Sequence, residues 1–214
     1  MGRLMAHCYD RMMQKSEEAC LLEWRRKLLE PVHGKVLEVG AGTGVSLPLY
    51  PEAVTRVVMS EPDPPMRAKL AERLENGANR SAEMSDGSLD SLPFPDGSFD
   101  FVTCMLVLCS VPDLQRAVGE IRRVLVPGGR LVFMEHVAAE KRPDRLKWQR
   151  RLEPLWKRIS GNCHLTRKTE QAILESGFDM VDIERESMRK AMPIVRPTIR
   201  GNAVKQVGAS PTAR

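Results

Sequence analysis

Long apolar runs are missing from this 214-residue chain, and nothing in it approaches the roughly 20 consecutive residues that a membrane-spanning helix needs. Aromatics are scarce, with three Trp, two Tyr and five Phe, which argues against the stacking platforms that hold unpaired nucleic-acid bases. The five cysteines (8, 20, 104, 109 and 163) are odd in number and show no metal-ligand spacing. They read as reduced thiols in a cytoplasmic setting, with no disulfide framework and no metal. Residues 1–20 carry early Arg and His but neither an apolar core nor a small-residue cleavage site, so no secretory signal is expected. Repeats, low-complexity tracts and domain-splitting linkers are also absent, which leaves one well-filled domain.

What is present begins with charge. The net charge of +5 is concentrated in one segment, where Lys141, Arg142, Arg145, Lys147, Arg150, Arg151, Lys157 and Arg158 interleave with Leu146, Trp148, Leu152, Leu155, Trp156 and Ile159. Such a stretch can lie on an anionic membrane surface. The blander reading is a solvated helix face whose apolar side packs on the core.

Around this segment, apolar runs alternate with helical patterns. Residues 4–30 read as helical, closed by Pro31 and Gly34. Strands are expected at Val36–Val39, Val54–Met59, 79–84, Phe99–Leu106, Leu131–Glu135, Phe178–Glu184 and Ile199–Val204. Helices are expected at Val45–Leu49, Pro65–Glu75, Leu114–Leu125 and from a Thr166 cap to Gly177. Strand–helix alternation predicts a mostly parallel seven-stranded α/β sheet with helices on both faces, and a tight pairing of the last two strands would be antiparallel. Residues 1–30 then form an N-terminal helical cap, 31–206 the domain, with 141–165 as a basic insertion on the acceptor side, and 207–214 a tail.

The sharpest feature is Lys35–Gly44, KVLEVGAGTG, followed by MSEPD at Met59–Asp63. Glycines at 40, 42 and 44 let the chain leave a buried strand and turn with no Cβ to hold a ligand off the backbone. Glu61, ending the next strand, is placed to accept hydrogen bonds from a ribose diol. A P-loop would require G-K-[ST], but Val45-Ser46 follows Gly44. A dinucleotide loop places its third glycine one residue later. Glu38, two residues before the first glycine, would repel a pyrophosphate and attract a sulfonium with an amino-acid tail.

The pattern E-x-G-x-G-x-G at Glu38–Gly44 resembles motif I of the class I S-adenosylmethionine-dependent methyltransferases, which have a Rossmann-like fold. Further matches come in order: Glu61-Pro62 with Met66, Ser88-Leu89-Asp90, Phe94–Asp100, and Arg123–Gly129. The resemblance implies S-adenosylmethionine as cofactor, with S-adenosylhomocysteine as product. It also implies a cofactor site of Glu38, Gly40, Ala41, Gly42, Gly44, Glu61, Pro62, Met66, Ser88, Leu89 and Leu106, covered by Tyr9 from the N-terminal segment. Ser88 stands where the family often has an acidic residue, so Asp90 or backbone groups would meet the adenine edge.

The segments after strands four and five bear on the methyl acceptor. The Asn/Asp-Pro-Pro-aromatic tetrad of nucleic-acid amino methylases does not occur; Leu106–Pro112 is apolar, which suits a small lipophilic acceptor. His136, at the carboxyl end of strand five, stands where a general base would, and could equally be structural. Cys109 reads more readily as a packing thiol, and His164 as structural. Glu135-His136-Val137, Glu153–Lys157 and Cys163–Arg167, with the final Arg196-Pro197, resemble the branch that includes the alkyl-thiol S-methyltransferases. That resemblance implies methylation of a small lipophilic thiol, with His136 catalytic and Cys109, Trp148, Trp156 and His164 near the acceptor. N-methylation of a phospholipid head group and C- or O-methylation of a quinone stay open. So do peripheral membrane contact through 141–160 and the choice between monomer and homodimer; nucleic acid is not an expected partner.

Overall fold

The computed structural model describes residues 3–75 and 82–207, with side chains from Tyr9 onward. In chain order the elements are α1 (Arg3–Ser16), a π-helical turn (Glu17–Leu21), α2 (Leu22–Leu29), β1 (Gly34–Val39), a 3₁₀ turn (Leu47–Leu49), β2 (Val54–Ser60), α3 (Pro64–Glu75) and β3 (Ala82–Ser85). Then come β4 (Phe99–Met105), α4 (Leu114–Val124), β5 (Leu125–His136), α5 (Pro143–Ile159), α6 (Thr169–Glu175), β6 (Phe178–Ser187) and β7 (Pro197–Lys205).

The strands form one seven-stranded sheet in the order β3-β2-β1-β4-β5-β7-β6. The pairs β1–β2, β2–β3, β1–β4 and β4–β5 are parallel, whereas β7 runs antiparallel to both β5 and β6. After β3 the chain returns to the other side of β1, so a topological switch lies between β1 and β4, where ligands of open α/β sheets bind.

Residues Val36–Val39 are buried on both faces, as a central parallel strand requires. Leu37, Val39, Val102, Phe133, Ile121 and Ile173 build the core under α4 and α6. Val36, Val57, Met59, Phe101, Val132 and Met134 build the opposite core with Trp24 and Leu70. The period of two along each strand sorts these side chains to opposite faces.

Two local expectations change, and two others fall partly outside the described residues. Val45–Leu49 is not an α-helix: residues 42–46 turn and a 3₁₀ turn comes next. Pro48 removes an N–H, and Pro51 holds Tyr50 extended (ψ 130°), so a regular helix cannot propagate. Thr166 does not cap the helix after it, because its N–H and hydroxyl both donate to Glu153 Oε2 (2.8 and 2.7 Å); α6 starts at Thr169. Of the strand expected at 79–84, residues 79–81 lie outside the described residues, and β3 runs Ala82–Ser85. The tail expected at 207–214 lies outside them from 208 onward.

Two glycines of the loop after β1 have different reasons. Both take positive φ, 60° at Gly40 and 59° at Gly42. A Cβ on Gly40 would lie 2.5 Å from Val107 Cγ2, while one on Gly42 would meet nothing within 4 Å. Gly40→Ala is therefore expected to combine about 1–2 kcal/mol of backbone strain with about 1–3 kcal/mol of overpacking against a stiff β-branched side chain. Gly42→Ala should incur only the first. Urea midpoints at constant slope check this, and equal losses would contradict it.

Candidate functional site

The carboxyl ends of β1 and β4 open onto a cavity of about 400 Å³ beneath α1, lined among others by Tyr9, Glu38, Gly42, Ser46 and Met105. The N-terminal helix is fastened over it by Asp10, which accepts a hydrogen bond from Thr43 Oγ1 (2.6 Å) and pairs with Arg73 of α3 (2.8 Å). Burial pushes the Tyr9 phenol up to about 12, so it stays neutral.

Glu38 is buried and held by hydroxyls, not by the backbone N–H groups that a structural role would use. Tyr50 donates to its Oε2 (2.8 Å), and Thr103, its neighbour in register on β4, shares a 2.7 Å bond with the Tyr50 oxygen. Arg25 reaches the same network by donating to Ser46 Oγ (3.1 Å) and pairs with Glu17 at 3.1 Å. Burial raises the Glu38 carboxyl, opposed by the Tyr50 bond and by Arg25.

Glu61 closes the glycine loop from the other side. Its Oε2 accepts from Gly42 N (2.7 Å) and its Oε1 from Asp63 N (2.9 Å). Burial raises this carboxyl, and those two N–H bonds resist the rise. Ala41, Gly40 and Gly42 line the cavity; Gly44 does not, and a Cβ there would strike Leu70 Cδ1 at 2.7 Å, so that glycine serves packing. Pro62 exposes its ring while its carbonyl accepts from Arg67 (3.1 Å), and Met66 and Leu89 are buried. Ser88 Oγ accepts from Asp90 N (3.3 Å) in a tight turn. Leu106 takes a left-handed φ of 64°, a conformation costly for a side chain with a Cβ and concentrated at functional sites.

A second constellation was not legible in sequence. His136 Nε2 lies 2.8 Å from Cys163 Sγ, which lies 3.9 Å from Cys109 Sγ. The three come from the loop after β4, the end of β5 and the loop after α5, and all are buried at 2% (Cys109), 4% (His136) and 9% (Cys163) exposure. Its hydrogen bond with Cys109, together with His136 and Trp156, pulls the Cys163 thiol down despite burial. The same bond, and burial, push Cys109 up. Cys109 and His136 were candidates; Cys163 was not, because 27 residues separate it from His136 and 54 from Cys109.

Trp156 is the other expected neighbour that the structure brings to this cluster. His164 is partly buried, its N–H donating to Cys109 O (2.8 Å) and its Nδ1 3.7 Å from Glu153. Trp148 is on the open face of α5, 56% exposed with Arg151 over its ring. Leu155 and Ile159 share that face at 60% and 55% exposure, so the apolar side of α5 does not pack on the core. Gln149 anchors the inner face instead, bonding Ala139 N, Val137 O and Ile194 O.

Glu135, fully buried at the end of β5, holds the whole arrangement in register. Its carboxylate accepts from Val107 N (2.8 Å), Leu108 N (2.9 Å) and Cys109 N (3.2 Å). Glu135→Gln would turn an amide donor toward N–H groups and should cost about 1–3 kcal/mol per donor left unsatisfied. Denaturant unfolding checks this; a loss under roughly 0.5 kcal/mol would contradict the clasp.

Comparisons with known proteins bear on the family and the fold. The family model of a methyltransferase domain matches residues 37–133. The chain is 36% identical over 210 residues to thiol S-methyltransferase TMT1B of Rattus norvegicus, covering 96% of this chain and 84% of that protein. It is 41% identical over 113 residues to phosphatidylethanolamine N-methyltransferase of Cereibacter sphaeroides, covering 51% of this chain and 54% of that one. The fold is shared with the crystal structure of a methyltransferase-like protein from Bacillus halodurans C-125, with TM-score 0.71 at 17% identity over 87% of this chain and 99% of the other. The chain belongs to the class I S-adenosylmethionine-dependent methyltransferases, on the branch that holds the thiol S-methyltransferases.

Proposed function

We propose that this enzyme methylates the sulfur of a small lipophilic thiol. The observation that carries the reading is the buried cluster of two sulfurs and an imidazole at the carboxyl ends of β4 and β5, surroundings suited to holding a thiolate. The likeness to thiol S-methyltransferases over nearly the whole chain supports it.

The residues fit the cofactor. In support, a Cβ on Gly42 would meet nothing within 4 Å, Glu61 accepts from Gly42 N at the edge of the glycine loop, and Glu38 and Tyr9 line the cavity; in this reading Glu61 meets the ribose diol, and Glu38 with Tyr9 the amino-acid tail. When bound, S-adenosylmethionine supplies a methyl group already activated by its sulfonium. What remains for the chain is to align the acceptor, exclude water and let one proton leave. α1, tied down through Asp10, shields the cavity, and the apolar loop Leu106–Val111 forms the acceptor side. A thiol of pKa near 8.5 is partly thiolate at neutral pH, and positive potential from the basic segment raises that fraction.

A second reading, methylation of a lipid head-group amine, is favoured by one observation. Trp148, Leu152, Leu155 and Ile159 recur at helical spacing along α5, flanked by exposed Lys147, Arg150, Arg151 and Arg158. That is the composition of a helix lying in a membrane interface. Among the described residues, no helix is long and apolar enough to cross a membrane. Peripheral contact through α5 is compatible with either acceptor.

Transfer from labelled S-adenosylmethionine to matched thiols, amines and phenols decides between them: methylated thiols with silent amines and phenols are expected, and methylated amines alone would overturn the thiol reading. Glu61→Ala should weaken cofactor binding by about 1–3 kcal/mol, roughly 5- to 150-fold, by calorimetric titration. His136→Gln should lower turnover and leave that affinity within about twofold, since its ring lies off the cofactor cavity. Sedimentation with anionic liposomes should be lost when Arg150 and Arg151 become Glu; binding unchanged by the double substitution would remove α5 from the membrane.

A further inference from the structure

Cys109, His136 and Cys163 are hard to explain as packing alone. Two thiols and an imidazole converge from three separate chain segments, with their donor atoms within 4.8 Å of one another. Each segment is held independently of the cluster. Cys109 N is clasped by Glu135, Cys109 O accepts from His164 N (2.8 Å), and Asn162, in a left-handed conformation, donates from Nδ2 to Ser110 O (2.9 Å). The loop bearing Cys163 is thus fastened directly to the loop bearing Cys109, and β5 fixes His136 between them. Among the described residues His136 Nδ1 is buried with no partner, so no hydrogen bond from that nitrogen to any of them accounts for the ring's position.

We propose that Cys109 Sγ, His136 Nε2 and Cys163 Sγ are the three protein ligands of a Zn²⁺ site whose fourth position is open to the acceptor's sulfur. The donor set is the argument for the metal. Two thiolates and one imidazole are soft to borderline ligands that suit Zn²⁺ and disfavour Mg²⁺ or Ca²⁺. Spacings of a few ångströms between donors are those of ligands sitting about 2.0–2.3 Å from one ion. Three protein ligands with one position left free is the arrangement of catalytic zinc, whereas structural zinc is closed by four. The sequence hides the site because no two ligands are close enough along the chain to form a motif.

Its place in the fold says what the open position is for. The cluster stands at the carboxyl ends of β4 and β5, one and two strand spacings of about 4.8 Å from β1, whose end carries the glycine loop. This half of the proposal rests on the thiol reading. An acceptor thiol coordinates as thiolate and gives its proton to solvent. Its sulfur lone pair forms the new bond to the methyl carbon while the carbon–sulfonium bond breaks toward the departing thioether. The methylated product is an uncharged thioether, a weak zinc ligand, and leaves.

Cobalt provides the test, because a thiolate bound to Co²⁺ gives a near-ultraviolet charge-transfer band. The full-length protein, stripped of metal with chelator, is titrated with Co²⁺ alone. About one equivalent should develop the band, and Zn²⁺ should bleach it. Cys109→Ser and Cys163→Ser should each lose about half the intensity, whereas Cys20→Ser, in the N-terminal helical segment, should leave it unchanged. No band in the wild-type protein overturns the site without recourse to any variant, as does a band in Cys109→Ser and Cys163→Ser equal to that of the wild type. Adding an alkyl thiol to the cobalt protein should shift the band. An unshifted band beside active thiol methylation overturns the acceptor's place on the metal. A cobalt band with no thiol methylated in the transfer assay leaves the ion site standing and removes the thiol reading.

Discussion

One buried carboxylate fixes the relation between the two halves of this site. Glu135 sits at the end of β5 with no exposure, where an unpaired charge would be strongly disfavoured. Three consecutive backbone N–H groups, Val107 to Cys109, satisfy it. Those same residues face in two directions. Val107 packs where a Cβ on Gly40 would stand, so the clasped loop leans on the glycine loop. Cys109 reaches Cys163 and the histidine next in sequence to Glu135. The glycine loop, the loop Leu106–Val111 and the sulfur cluster thereby become one rigid unit, and charge-assisted N–H bonds are strong enough to keep it so.

The cap over that unit is held by electrostatics of another kind. Asp10 joins α1 to Thr43 in the glycine loop and to Arg73 on α3. Arg25, nearly buried, links Glu17 of the π-helical turn to Ser46 and, through it, to Glu38. A π turn widens the helix locally and is frequent at functional sites. Here it sets Glu17 against Arg25, so that the helix which covers the cavity is tied to the carboxylate at its floor.

How much of this the sequence discloses depends on the range of the physics involved. The sheet, its parallel core and the glycine loop were legible because strand periodicity and positive-φ turns are local demands, written at Val36–Val39 and at Gly40 and Gly42. The hydroxyl network around Glu38 was not, since Tyr50 and Thr103 meet it only after Pro51 has bent the chain extended and β4 has paired with β1. Cys163 was invisible for the same reason at longer range. The amphipathic spacing of α5 revealed two faces but not which one meets the core; Gln149, a polar residue, proved to be the buried anchor. Val45–Leu49 misled because its apolar pattern outweighed Pro48 and Pro51, which decide the backbone.

The proposed chemistry turns on one spatial relation: an acceptor sulfur reaches the methyl group from the side of Cys109, His136 and Cys163. A crystal structure of the protein with S-adenosylhomocysteine and an alkyl thiol tests it most directly. The homocysteine sulfur is expected in the cavity beneath α1, with the thiol sulfur lodged at the cluster and aimed in line at it, leaving room for a methyl carbon about 3–3.5 Å from the acceptor. A thiol bound away from the cluster, or a homocysteine sulfur walled off from it by the Leu106–Val111 loop, would contradict that relation.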